Sequence, residues 1–131
     1  MKRFIEIEGI DRTGKDTILA YINKLTNYKY LIRVRGWLSQ QTYSDLYNRD
    51  YEYINYQPIV FFLDVEEEDW EIRCALTNEQ DMDYEANRNA FYKRLEELND
   101  YVVFNTSFMT PYQIANVIVE RLEKYEEDNI I

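Results

Sequence analysis

The sequence predicts an α/β domain in which helices cover a short, mostly parallel sheet of about four to five strands. Three observations lead there. Strand-like runs alternate with helical segments along the 131 residues. Two of those runs are near-continuous apolar stretches, as strands buried on both faces of a parallel sheet are. The turn between the first strand and the first helix holds two of the chain's three glycines, Gly9 and Gly14. The length suits one domain, 1–131,.

The first strand is expected over Phe4–Glu8, where apolar and acidic residues alternate,. A helix follows over Lys15–Leu25, with Ile18, Leu19, Ile22 and Leu25 at helical spacing,. Tyr30–Arg35 reads as the second strand, ended by Gly36. The polar, tyrosine-rich stretch from Ser39 to about Tyr53 reads as a helix that packs one side. Pro58 leads into the third strand, Ile59–Val65. From Asp69 to Leu98 two helical stretches flank a polar loop, Thr77–Asp83. Tyr101–Asn105 is the fourth strand. Thr110, Pro111 and Gln113 form the capping-box signature of a last helix, whose apolar face is Ile114, Val117, Ile118, Leu122 and Tyr125,. The acidic tail after Glu126 is expected to fray.

Composition removes whole classes of function. A hydrophobic content of 46% supplies a core and excludes a disordered chain,. With 31% charged residues and no long apolar run, no membrane span or membrane partner is expected,. Met1-Lys2-Arg3 leads straight into a strand and not into a signal peptide, so a cytoplasmic location is expected,. The single cysteine, Cys74, reads as a small buried apolar residue,. No histidine is present, which rules out imidazole chemistry,. A net charge of -10 disfavours a nucleic-acid partner,. Any phosphate must meet a few placed cations instead. Most of the 13 tyrosines read as packing at the core edge,.

Glu8-Gly9-Ile10-Asp11-Arg12-Thr13-Gly14-Lys15-Asp16-Thr17 lies between a strand and a helix, the context of a Walker A phosphate loop,. Glycines let backbone N–H groups turn inward around an anion, and the helix N-terminus points at the same place. Lys15 adds a full charge for the outer phosphates. One position departs. The hydroxyl that usually follows the lysine and holds Mg²⁺ is here Asp16, with Thr17 next to it. Asp64, at the end of the third strand, is a further candidate for organising the metal or for a structural pair,.

This decapeptide resembles the loop of thymidylate kinases, a family of P-loop nucleoside monophosphate kinases in the P-loop NTPase three-layer sandwich fold. Arg35-Gly36-Trp37-Leu38-Ser39-Gln40-Gln41-Thr42-Tyr43 is similar to that family's Asp-Arg-[Tyr/His]-x-x-Ser-x-x-Ala-Tyr-Gln segment. Leu63-Asp64-Val65 matches its Leu-Asp-Val strand end, Arg73 falls at its following arginine, and Asn105-Thr106-Ser107 sits at its Asp-Ala-Ser loop. Tyr30–Gly36 also aligns with the family's earlier Thr-Arg-Glu-Pro-Gly strand, and both alignments stay open here.

The resemblance implies a spatial strand order of second, first, third, fourth. It implies ATP and Mg²⁺ as cofactors and a nucleoside monophosphate as partner. Gly9, Thr13, Gly14 and Lys15 would hold the donor phosphates, with Asp16, Thr17 and Asp64 toward the metal. Arg12 would act on the transferring phosphoryl group as a built-in arginine, in keeping with a loop at Thr77–Asp83 that has neither Arg nor Lys. Asp11, Arg35, Ser39 and Tyr43 would meet the acceptor, and Arg73 with Asn105, Thr106 and Ser107 would flank adenine. A homodimer is implied too, with the tyrosine-rich helix as a candidate interface.

The departures bear on activity. Family members are longer, and the segment that sandwiches the acceptor base is missing between Leu25 and Arg35. Val34 replaces the aspartate before Arg35, and Ser44 the glutamine after Tyr43. Three readings therefore stand: a minimal deoxynucleoside monophosphate kinase, a nucleotide-binding protein without kinase activity, and a P-loop enzyme acting on a larger acceptor.

Overall fold

The computed structural model describes residues 3–49, 56–77 and 83–131. Four strands lie among the described residues: β1 (Ile5–Gly9), β2 (Ile32–Val34), β3 (Ile59–Asp64) and β4 (Tyr101–Asn105). All pair in parallel, in the order β2-β1-β3-β4. That is the order the resemblance implied. Five helices lie among the described residues: α1 (Lys15–Thr26), α2 (Trp37–Tyr47), α3 (Glu67–Thr77), α4 (Tyr84–Leu95) and α5 (Pro111–Glu127).

Period-two alternation divides the core into two layers. Ile5, Ile7, Ile59, Phe61 and Leu63 face Ile18 and Ile22 of α1 and Ile114, Ile118 and Leu122 of α5. Val60 and Phe62 face the other way, onto Leu38 of α2, Trp70 and Cys74 of α3, and Phe91 and Leu95 of α4. The helices thus cover both faces, as a parallel sheet requires. No helix among the described residues is long and apolar enough to cross a membrane.

Several boundaries and environments differ from expectation. The second strand is three residues long, because only Ile32–Val34 pairs with β1. α2 begins two residues earlier, at Trp37, and ends at Tyr47, where Asn48 turns left-handed (φ 51) and its N–H closes onto the Ser44 carbonyl. The rest of the expected helix, 50–53, lies outside the described residues, as do 78–82 of the polar loop. Of that loop, Thr77 ends α3, and Asp83 caps α4 by accepting from the Ala86 N–H. The fourth strand was expected to be buried, but β4 is a sheet edge with Tyr101 and Val103 exposed. Nor does the tail fray. α5 runs to Glu127, the Ile130 N–H returns to the Tyr125 carbonyl, and Ile130 and Ile131 pack against the core. The capping box of Thr110 and Gln113 forms as read.

Candidate functional site

The chain leaves β1 toward α1 on one face and leaves β3 toward α3 on the other, so the crevice between these adjacent strands is the sheet's switch point. Ligands of open α/β sheets bind at the carboxyl ends of the strands around such a point. The loop from Gly9 to Lys15 sits there. Gly9 (φ 155) lets β1 approach β3 so closely that a Cβ would lie 2.5 Å from the Leu63 carbonyl oxygen. Ile10 is buried beneath the loop, and Thr13 turns inward to donate to the Ile10 carbonyl at 2.7 Å. Gly14, left-handed at φ 85, is the N-cap of α1.

Lys15 is buried in the first turn of α1, and its Nζ folds back to donate to the carbonyls of Gly9 (2.9 Å) and Ile10 (3.0 Å). An ammonium has three N–H donors, so one remains for an anion. Burial pulls its pKa down to about 8, against the opposing pull of Asp11. Asp16 and Thr17 are exposed on the same turn.

Beside this loop the structure brings together the expected acceptor-side residues. Arg35 adopts a left-handed backbone (φ 68), its N–H bound to the Ile7 carbonyl at 2.9 Å. Its guanidinium reaches Asp11 at 3.4 Å, and both side chains are exposed to solvent. Tyr43 lies nearby, stacked on Tyr47 and edge-on to Phe91. Burial raises its hydroxyl pKa to about 12, with Asp11 adding to the rise.

What holds Arg35 there was not anticipated. The first N–H groups of a helix need acceptors, and the cap residue Gly36 has no side chain to supply one,. Two buried acids of β1 do so instead. Glu6 accepts from the Trp37 N–H (3.0 Å). Glu8 accepts from the N–H groups of Gly36 (3.1 Å) and Ser39 (2.8 Å) and from the Ser39 hydroxyl (2.5 Å). Glu6 also pairs with Arg33 and accepts from the Tyr56 hydroxyl at 3.0 Å. Its carboxylate lies so close to Gly36 that a Cβ there would overlap it. Ser39, expected to meet the acceptor, is instead buried with its hydroxyl on Glu8.

Burial raises the Glu8 pKa to about 6 from an ordinary 4.5, and the Ser39 hydrogen bonds only partly oppose it. Between these two values the folded protein holds more protons than the unfolded chain, so stability falls as pH rises. The loss should be about 2 kcal/mol. Glu8→Gln, which does not ionise, should abolish this slope in urea titrations run from pH 4.5 to 6.5. An unchanged slope would assign it to other acids.

On the far side of the loop, Arg73 of α3 donates to the Arg12 carbonyl at 2.8 Å and to the Thr106 hydroxyl at 3.1 Å. Arg12 itself is left-handed (φ 72). The three residues after Phe104 are hydrogen-bonded within the protein. Asn105 donates to Glu66 (3.0 Å), Thr106 donates to the Asp64 carbonyl (3.0 Å), and Ser107 accepts from the Glu66 N–H (3.0 Å). The Asp64 carboxylate is nearly buried and is engaged by Arg88 (2.8 Å), the Tyr92 hydroxyl (2.7 Å) and the Val65 N–H (2.9 Å). Of its two sequence readings, the structural pair is the one its contacts describe. Tyr84, Arg88 and Tyr92 recur at i, i+4 and i+8, a face-sharing signal available in the sequence.

Among the described residues no group of three or more acidic or sulfur side chains could enclose a metal ion. The donors present suit a Mg²⁺ that arrives on phosphates, keeps most of its waters and takes one protein carboxylate, with Asp16 the candidate. A groove of about 510 Å³ opens at the opposite edge of the sheet, near Phe4, Tyr30 and Leu31. Its cations are already paired, Arg3 with Asp100 and Lys29 with Glu126. Helix C-termini face that edge of a parallel sheet and disfavour anions. The C-terminal edge is therefore the better phosphate site. Comparison of the chain with protein-family models, with curated proteins and with solved structures finds no match.

Proposed function

We propose that this chain is a minimal P-loop nucleoside monophosphate kinase, similar to thymidylate kinase, that transfers the γ-phosphoryl group of ATP to a deoxynucleoside monophosphate. The observation that carries the reading is the buried Lys15 ammonium, folded over the Gly9–Gly14 loop at the sheet's switch point, with Arg12 in that loop and Arg35 beside Asp11.

In this reading the loop amides, the α1 N-terminus and Lys15 hold the donor phosphates. Arg35 orients the acceptor phosphate, and Asp11 keeps that guanidinium in place before binding. An acceptor phosphate oxygen attacks the γ-phosphorus, the bond to the β,γ-bridging oxygen breaks, and ADP leaves. No protein nucleophile is needed, because catalysis is positioning plus neutralisation of charge. Mg²⁺, when bound, supplies charge on the phosphates. Lys15, Arg12 and Arg35 supply the rest. Tyr43 closes the site against the acceptor sugar.

A second reading, a nucleotide-binding protein without transfer, draws support from Val34 and from an Asp64 carboxylate that is already saturated. One assay separates the two. The protein is incubated with γ-labelled ATP, Mg²⁺ and each common deoxynucleoside monophosphate, with Lys15→Ala as control. Label should appear in one diphosphate and vanish in the control. Arg35→Ala should raise the acceptor KM about 10- to 100-fold, the loss expected for a charge-assisted phosphate contact. ATP binding through Lys15 without transfer to any acceptor would leave the second reading.

A further inference from the structure

Arg12 is one of two arginines beside the phosphate loop held in the left-handed region, at φ 72, where residues with a side chain are uncommon,. Such a conformation persists only when surrounding contacts over-determine it. The contact here comes from far along the chain. Arg73 Nη1 donates to the Arg12 carbonyl at 2.8 Å and to the Thr106 hydroxyl at 3.1 Å, and Nη2 reaches the Thr106 carbonyl at 3.4 Å. Thr106 is itself anchored to the end of β3, its N–H and hydroxyl both donating to the Asp64 carbonyl, at 2.9 and 3.0 Å. A continuous strut therefore runs from the central strand through Thr106 and Arg73 to the middle of the loop.

We propose that Arg73 is a positioning residue that acts through Arg12: by holding the Arg12 carbonyl it locks the loop's left-handed turn and so aims the Arg12 guanidinium at the transferring phosphoryl group. This rests on the kinase reading for the role of Arg12, but not for the strut itself. It replaces the role the resemblance implied for Arg73, a flank of the adenine ring. The edges of the guanidinium are directed at protein oxygens on two loops, which its rigid planar fork holds in one orientation, whereas an ammonium on a flexible stem has rotatable donors and fixes none,. A turn of this kind also makes successive N–H groups converge on one side, as an anion nest requires.

The test is a double-variant cycle with Arg12→Ala and Arg73→Lys, the latter keeping the charge and losing the fork. Transfer rates are measured alongside calorimetric binding of ATP and of inorganic tripolyphosphate. Arg73→Lys should lower kcat about as far as Arg12→Ala, on the order of 100-fold or more. The double variant should be no slower than Arg12→Ala alone. The ratio of ATP to tripolyphosphate affinity should stay within about twofold, since the base is not touched. Multiplying effects, or a selective loss of ATP affinity, would overturn the proposal and return Arg73 to the adenine. If the unaltered protein transfers no phosphoryl group, the kinase reading fails separately, and the cycle is read on tripolyphosphate affinity, where additivity would again overturn the strut. Should Arg73→Lys fail to fold, Thr106→Val cuts the strut at its other end, and the same non-additivity with Arg12→Ala is expected.

Discussion

Lys15→Met is expected to yield a protein at least as stable as the original that no longer holds a triphosphate. The lysine is buried, and burial depresses its pKa to about 8 from an ordinary 10.5. Below pH 8 the folded protein must keep a charged group where it is poorly solvated. The cost lies at low pH and disappears as pH rises from 8 to 10.5, because over that range the unfolded chain binds the extra proton. The shift corresponds to about 3 kcal/mol, less about 1 kcal/mol for the carbonyl contacts that methionine cannot replace. A net gain of about 1–2 kcal/mol at pH 7 should appear in urea denaturation and shrink above pH 8. Affinity for tripolyphosphate should fall about 100-fold or more. In the unaltered protein that affinity should weaken above pH 8, since an anion binds the protonated lysine. Stability lost on substitution, with anion binding retained, would make Lys15 a structural residue.

Gly9→Ala should do the opposite and remove the fold. Its Cβ would lie 2.5 Å from the Leu63 carbonyl oxygen, 3.0 Å from Leu63 Cβ and 3.1 Å from Thr13 Oγ1, at a φ of 155. The first obstacle is backbone of the neighbouring central strand, which cannot step aside without breaking the β1–β3 ladder. Steric overlap and a backbone conformation closed to alanine act together, so a loss of about 3–5 kcal/mol or outright failure to fold is expected. The check is urea denaturation of the purified variant. A loss below about 1 kcal/mol would mean that β1 and β3 do not pass this closely.

Much of the fold could be read from local pattern because its signals are local. The apolar run over Ile59–Asp64, helical spacing over Ile18 and Ile22, and the Thr110–Gln113 box each arise among residues within a few positions of one another,. The misreadings have one cause in common. Strand Tyr101–Asn105 is as apolar as a buried strand, yet whether a strand lies at the edge depends on crossovers, not on its own composition. Likewise the alternation of Glu6 and Glu8 with apolar residues does not say where the acids face; β1 is central, and both are fully buried.

The sequence by itself determined the order of the elements, the glycine-lined loop with Lys15 behind it, and the identity of the cations near it. Only the tertiary structure decided what those groups do to one another. It turned Ser39 onto Glu8, closed Asp64 with Arg88 and Tyr92, and set Arg73 against the Arg12 carbonyl. The physical reason is that a buried charge or an orphan helix N–H must find a partner wherever the chain happens to bring one. Here those partners come from β1 for α2, from α4 for β3, and from α3 for the loop, separations that no periodic pattern records.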